Sequence, residues 1–399
     1  MTPLLRFEGG RRLARVSGAV GAVGLLATLV GGLLGGPGSA REVLFNYLFA
    51  YAYWLGLAAG ALLLLATFHA TGARWAVVLR RALELMAGSL PLFVLLFVPV
   101  ALGMRELYLW MRPTPELGEH ALHLLAHKRP YLNAPFFLVR AGLCLAAWWA
   151  VGALLLRWSR RQDREGDLRL LVWQRRLATG ALPLLGISLS FAVQDWLMSL
   201  EPLWESSVYA LYVLSGAYAG ALALLALAAV AAGGESGALG ALVGETHLLR
   251  LGTLLFAMLC FWAYLGFSQY LLIWIASLPR EVPWYVARQA GGWGTLAVAI
   301  GLLHFVLPFF LLLSRGLKRR RGGLAAVALL VLFAHALDTY WLVLPALHPA
   351  GAHFHWSSLS AFVGVGGLAL AWTLWRARGD YAVPVKDPYL FHSLHASKP

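Results

Sequence analysis

The feature that most constrains this chain is the repetition of apolar stretches long enough to cross a lipid bilayer. The hydrocarbon core of a bilayer is about 30 Å thick, and a helix needs about 20 residues to cross it. Because lipid offers the backbone no hydrogen bonds, each stretch is predicted to be an α-helix. The predicted spans cover residues 14–36, 42–68, 82–104, 135–157, 177–199, 206–232, 248–277, 290–314, 323–346 and 356–376. The predicted fold class is therefore all-α, a polytopic membrane protein with about ten transmembrane helices.

Composition agrees with this class. Hydrophobic residues make up 60% of the 399 residues and charged residues only 13%, which is about half the charged share of a soluble domain. The alternating strands of about ten residues that a membrane β-barrel requires do not occur in the pattern. Basic residues at 6–15 make the first span resemble a signal peptide, but its apolar run is long and residues 38–40 are a weak cleavage signal. We expect this span to be retained as an anchor.

The distribution of Lys and Arg predicts the orientation of the chain. Of the 32 basic residues, 24 lie on the side that holds both termini, 7 lie on the other side, and Arg140 lies inside a span. By the positive-inside rule, the N-terminus and the C-terminal tail of residues 378–399 are both cytoplasmic. The net charge of +14 therefore reflects topology. Since no basic stripe with interleaved aromatic residues occurs, we expect no nucleic-acid partner.

Cysteine and histidine usage limits the cofactors that this chain can hold. Cys144 and Cys260 both lie inside apolar spans, and no C-x-x-C motif occurs, so we expect no covalent haem, iron–sulfur cluster or cysteine zinc site. His120, His123 and His127 share one face of a short amphipathic helix predicted in the longest outer loop. This spacing suits a metal, but we interpret it as the solvated face of an interfacial helix and predict no metal site.

The run at residues 194–205 carries an aspartate at the end of a span and a Glu201-Pro202 turn between two tryptophans. Ionisable groups near lipid are costly, so such a run indicates either a functional site or an interfacial turn. A similar pattern follows at residues 338–341, four spans later. The similarity predicts that spans 2–5 and 6–9 form two parallel four-helix bundles.

Further polar side chains fall within the spans. His335 and Asp338 are three residues apart and therefore share a helix face, and a carboxylate beside an imidazole can exchange a proton near neutral pH. The candidates for a proton path are Asp195, Glu201, Tyr264, Gln269, His304, His335 and Asp338. One alternative is that these groups hold helices together by hydrogen bonds. Another is a b-type haem between His304 and His335.

Several motifs in the chain resemble those of the polysulfide-reductase/NrfD-type membrane subunits. More specifically, they resemble the second of the two quinone-type membrane subunits of alternative complex III. The residues that carry the resemblance lie at 195–209, 254–274, 277–281, 338–341 and 384–388, beginning with Asp195-Trp196-x-Met198-Ser199-Leu200-Glu201-Pro202-x-Trp204. The resemblance covers residues 180–399 best, whereas the first 180 residues match mainly in the number and length of their spans.

This resemblance implies a fold of two four-helix bundles plus two peripheral helices, in the bacterial inner membrane. It also implies membership of a quinol:cytochrome c (or terminal oxidase) oxidoreductase complex. Haem c and iron–sulfur clusters are then held by partner subunits, alongside a paralogous membrane subunit to which quinol oxidation is usually assigned. The chain itself is expected to be surrounded by lipid and to have a structural and proton-conducting role. This second membrane subunit is also named as quinone-binding in the family, so quinol or quinone is a possible ligand.

Two other functions remain open on the sequence. A secondary transporter is favoured by inverted repeats or by helices broken near the midplane, for which Pro183, Gly186 and Pro308 are candidates. The other alternative is a purely structural membrane scaffold, whose polar residues only join helices.

Overall fold

A computed structural model describes residues 6–7, 10–232 and 242–395. Within these residues, ten helical segments are long and apolar enough to cross a membrane. Numbered spans 1 to 10, they run Arg11–Leu34, Ser39–Thr71, Arg74–Leu102, Ala134–Glu165, Leu168–Leu200, Tyr209–Ala231, Glu245–Ala276, Trp293–Leu313, Arg321–Ala346 and Trp356–Ala377. The predicted all-α, polytopic membrane fold is confirmed.

Short helices connect the spans on both sides. They are Met104–Leu107, Glu119–Lys128, Val282–Ala287, Arg315–Arg319 and Leu390–His395, with 3₁₀ turns at Leu109–Met111 and Pro115–Leu117. The predicted helix of the longest loop corresponds to Glu119–Lys128. The end of this helix touches the turn after span 5, where Lys128 Nζ donates to the carbonyl oxygen of Pro202 at 2.8 Å.

Prolines shape two of the spans. Span 3 is divided into Val77–Ala87, Leu90–Leu96 and Val98–Leu102, with a proline at the start of each of the last two pieces. Span 8 contains a π-helical turn at Gly301–Val306, directly before Pro308. Proline has no amide to donate to the carbonyl four residues earlier, which here belongs to His304. The wider turn is the adjustment often seen at functional sites.

The spans form two four-helix bundles, as predicted. Spans 2–5 pack together as the first bundle and spans 6–9 as the second, and the bundles meet mainly through spans 2 and 6. Spans 1 and 10 pair closely beside the first bundle. Glycine makes this approach possible, because a Cβ atom on Gly21 would lie 2.6 Å from the backbone nitrogen of Leu368.

The C-terminal tail folds back onto the bundles, although the sequence favours an extended arm. Arg80 donates to Asp387 at 2.6 Å, and both side chains are buried. Ser393 is fully buried and donates to the carbonyl oxygen of Trp75 at 2.7 Å. Its hydroxyl also lies 3.5 Å from Nε2 of His247, at the start of span 7. The described part of the tail therefore ties both bundles together at one end.

Candidate functional site

Asp338 and Tyr212 form the polar centre of the second bundle. Asp338 lies on span 9 and is only 1% exposed. The hydroxyl of Tyr212, on span 6, donates to Oδ1 of Asp338 at 2.5 Å. The short distance is typical of an O–H donor bound to a carboxylate. A carboxyl group is thus held inside an apolar bundle by a phenol that can itself exchange a proton.

His335 lies one turn before Asp338 on span 9 and is also buried. Two glycines of span 6 leave room for its ring: a Cβ atom on Gly216 or on Gly220 would lie 3.1 Å from an imidazole carbon. The Nδ1 atom of His335 has no hydrogen-bond partner among the described residues. The imidazole of His335 and the carboxylate of Asp338 therefore lie near each other on span 9. The phenol of Tyr212 on span 6 adds a third polar group to this pair.

His304 completes the cluster from span 8. Its side chain is fully buried within the π-helical turn. The imidazole centroid lies 4.2 Å from the ring of Trp262 and 5.8 Å from the ring of His335. The Trp262 ring lies 5.4 Å from that of Tyr212. Neither nitrogen of His304 finds a partner in the part of the chain that the structure describes. We call Tyr212, Trp262, His304, His335 and Asp338 the inner-bundle cluster.

The two histidines considered as haem ligands pack against aromatic rings. The ring centroids of His304 and His335 lie 5.8 Å apart. Trp262 lies against the first ring and Tyr53, with a centroid distance of 5.3 Å, against the second. Aromatic side chains of spans 2 and 7 therefore contact both imidazoles.

Asp195 lies in the first bundle and forms a different arrangement. Arg140, on span 4, donates from Nε and an Nη atom to its two carboxylate oxygens at 2.7 and 2.9 Å. The guanidinium also lies 3.9 Å from the ring centroid of Tyr131 and 4.2 Å from that of Phe136. A bidentate pair of this kind is strong and fixed in geometry. Asp195 therefore acts as the partner of a cation and is not brought together with Asp338.

Glu201 forms an ion pair at the outer turn. Arg288 donates to Glu201 at 2.6 Å and to the carbonyl oxygen of Leu342 at 3.1 Å. The guanidinium lies 3.6 Å from the ring centroid of Trp284, which stacks on Trp204 at 4.5 Å. Arg288 is buried while the Glu201 side chain is 28% exposed. This carboxylate fixes the turn after span 5 to span 9.

Gln269 and Tyr264, predicted to extend one hydrogen-bonded chain, lie in different surroundings. Gln269 is buried, accepts a hydrogen bond from Ser206 and donates one to Tyr285, both at 3.0 Å. Burial raises the pKa of Tyr285 to about 12, so its hydroxyl stays protonated. Tyr264 is 65% exposed on the outside of span 7. No hydrogen bond within the described residues joins it to Gln269, so Tyr264 does not extend this chain.

An outer cavity of about 520 Å³ opens between the two bundles. Its lining includes Gln194, Ser206 and Gln269, together with the carboxylates of Glu205 and Glu281. These groups offer amide and carboxylate hydrogen-bonding atoms next to apolar residues of span 7. The arrangement suits a polar ring or headgroup that enters from the lipid.

The opposite end of the first bundle contains a buried charge cluster that hydropathy alone did not predict. Nη1 of Arg81 lies 2.9 Å from Glu84, and Arg81 also pairs with Asp163. Arg80 lies 3.5 Å from Glu84 and pairs with Asp387. An arginine at the edge of an apolar span requires an acidic partner. The positions of Arg80 and Arg81 in the sequence therefore indicate that such partners exist.

The loops between the spans contain histidines at positions 120, 123, 127, 348, 353 and 355. In the residues described here, no group of three or more His, Cys, Asp or Glu side chains could hold a metal ion. His348 instead lies 2.8 Å from a carboxylate oxygen of Glu42.

No protein-family model and no curated protein matches this chain.

Proposed function

We propose that this chain is a proton-conducting and structural membrane subunit of a quinol:cytochrome c (or terminal oxidase) oxidoreductase complex of the alternative complex III type. The inner-bundle cluster carries the proposal: a carboxylate bound by a phenol, beside two imidazoles that together hold three buried nitrogens without partners among the described residues. Partner subunits hold the haem c and the iron–sulfur clusters in this proposal. The chain belongs to the bacterial inner membrane, with both termini in the cytoplasm.

The unpartnered nitrogens favour proton exchange over simple helix adhesion. A polar group that only joins helices is normally paired, as Asp195 is with Arg140. A buried polar atom left without a partner costs about 1–3 kcal/mol. His335 has one such nitrogen and His304 has two. Groups kept at that cost are suited to accepting protons from water or from a neighbour.

The proposal that the complex oxidises a quinol rests on the sequence motifs and on the chemistry of quinol oxidation. Oxidation of a quinol releases protons as well as electrons, so a complex that performs it needs protonatable groups within its membrane subunits. The motifs at 195–209 and 254–274 resemble those of alternative complex III. The same residues supply the turn above the first bundle and the span that places Trp262 beside His304.

Asp338→Asn tests the proton role, because it keeps the shape of the side chain and removes its charge. In the purified complex we expect quinol turnover and proton release to fall at least about a hundredfold, the lower end of the range for losing a positioned acid or base. Glu119→Gln is the control, since Glu119 is exposed and lies outside both the inner-bundle cluster and the outer cavity. Unchanged turnover and unchanged proton release in Asp338→Asn would leave a scaffold as the better description. Uptake of a solute by the chain alone in vesicles would favour a transporter.

A quinone-binding role is a second candidate, favoured by the outer cavity. Gln194 lines this cavity beside Ser206 and Gln269, and its amide can donate to a ring oxygen. Labelling by a photoreactive quinone should be lost in Gln194→Leu and kept in Gln289→Leu, a substitution at an exposed position. Equal labelling of both variants would contradict quinone binding here.

A further inference from the structure

Tyr264 presents a hydroxyl group to the lipid near the middle of span 7. It is 65% exposed, and the described chain offers its hydroxyl no hydrogen-bond partner. Arg250 and Trp274 lie near the two ends of the span, at positions typical of the two interfaces. Tyr264 is two residues from the midpoint between them, which is about 3 Å along the helix axis. The phenol therefore belongs to the centre of the hydrocarbon layer.

The direction in which the Tyr264 side chain points does not bring its hydroxyl closer to the membrane surface. Helical side chains tilt toward the N-terminus of their own helix, which here points the hydroxyl back toward Arg250 and keeps it near the midplane. Lipid ester groups lie at the edges of the hydrocarbon core, about 15 Å from its centre. A hydroxyl in hydrocarbon without an acceptor is strongly disfavoured. The acceptor must come from a molecule that places a polar group at this depth.

A groove of about 590 Å³ lies beside Phe261, one turn before Tyr264 on span 7. Gly186 and Ser190 of span 5 line its other side, and Leu214 and Ser215 of span 6 also line it. A Cβ atom on Gly186 would meet nothing within 4 Å, so this wall is open to an approaching backbone. Small residues at a lipid-facing surface permit close packing of a second helix.

We propose that this groove and Tyr264 form the docking surface for a transmembrane helix of a different polypeptide. The incoming helix carries a hydrogen-bond acceptor, from a Ser, Thr, Asn or Gln side chain or a free carbonyl, at the depth of Tyr264. A second copy of this chain fits poorly, because a two-fold contact places identical surfaces together and one concave groove cannot fill another. The proposal stands apart from the proton role, since its test measures association rather than turnover.

Photo-cross-linking in native membranes tests the surface. Benzoylphenylalanine replaces Phe261 or Phe267, and the control replaces Phe310 on span 8, which is 65% exposed against 62% for Phe267. We expect adducts from Phe261 and Phe267 but not from Phe310. Mass spectrometry of the cross-linked peptide should identify an apolar segment of another chain that contains an acceptor. Adducts with lipid or quinone only, with a second copy, or equally from Phe310 would overturn the proposal.

A second variant separates the contribution of the Tyr264 hydrogen bond from that of the other contacts with the docked helix. Tyr264→Phe removes only the hydroxyl, and we expect the adduct yield from Phe261, after extraction into mild detergent, to drop about three- to tenfold. Tyr270→Phe is the matched control, because Tyr270 lies near the end of the span and packs against Tyr285 at 5.2 Å. An undiminished yield in Tyr264→Phe, or an equal loss in both variants, would contradict the role of the Tyr264 hydroxyl.

Discussion

The Tyr212 hydroxyl donates to Asp338 at 2.5 Å across two helices, and the two residues are 126 positions apart in sequence. The corresponding aspartate of the first bundle, Asp195, instead binds a guanidinium. Two span ends that look alike in sequence therefore hold their carboxylates in opposite ways, one beside a neutral phenol and one beside a cation. Proton exchange is expected of the first carboxylate and structural pairing of the second.

Tyr212→Phe should separate the hydrogen bond from the ring packing. The substitution keeps the contact with Trp262, whose ring is 5.4 Å away, but leaves Asp338 without its donor. We expect a loss of about 1–2 kcal/mol in the free energy of unfolding, together with slower proton release by the complex. Thermal unfolding in detergent and a pH-sensitive dye measure the two effects. Normal proton release would show that the phenol only positions Asp338.

Gly216→Ala should disturb the cluster without changing any ionisable group. The new Cβ atom would lie 3.1 Å from Cε1 and 3.2 Å from Nδ1 of His335, so the imidazole has to move. Overpacking of this kind costs about 1–3 kcal/mol, and we expect turnover to fall with it. Gly142→Ala is the control, since its Cβ atom would meet nothing within 4 Å. Equal behaviour of the two variants would contradict tight packing around His335.

Arg140→Leu should destabilise the first bundle by about 3–5 kcal/mol, because it leaves the buried Asp195 without its cation. The double variant Arg140→Leu, Asp195→Leu should recover most of this loss, since no buried charge remains. Arg161→Leu removes an exposed ion pair with Glu165, and such pairs contribute about 0–1 kcal/mol. The yield of folded protein and thermal unfolding in detergent distinguish these cases. No recovery in the double variant would point to a role beyond pairing.

Asp387→Asn should loosen the C-terminal tail. Breaking a buried ion pair costs about 3–5 kcal/mol, and we expect the lower part of this range because Arg80 retains Glu84 at 3.5 Å. Faster proteolysis of the tail in inside-out membrane vesicles would report the change. His392→Gln serves as the control, because this tail residue is exposed. Equal protection of both variants would show that the other contacts of the tail, including Ser393 with Trp75 and Asp380 with Arg160, are enough to hold it.

Hydropathy predicted the ten spans because the requirement for apolar residues and internal hydrogen bonds acts on each helix separately. The pairing of Arg140 with Asp195 could not be predicted in this way, since the partners are 55 residues apart and each span has several possible neighbours. The lipid-facing position of Tyr264 could not be predicted for another reason. Span 7 is apolar around its whole circumference, so its sequence does not indicate which face turns to the lipid.

The histidines show which part of the cluster can be predicted from residue types alone. His335 and Asp338 share a face because of helical periodicity, which is a local property. His304 joins them through a π-helical turn before Pro308, and Gly216 leaves room for the His335 ring. These are features of packing between spans. The sequence could therefore propose His304, His335 and Asp338 as members of the cluster, but not Tyr212 and Trp262.

The ion pair between Arg80 and Asp387 also constrains biosynthesis. The two residues are 307 positions apart, so Arg80 leaves the ribosome long before its partner exists. Span 3 must be inserted before Asp387 is available to that guanidinium, and all ten spans must be translated before the pair can close. The first bundle is thus completed by a segment that follows span 10, and a stalled or truncated product carries an incomplete junction that quality-control proteases can recognise.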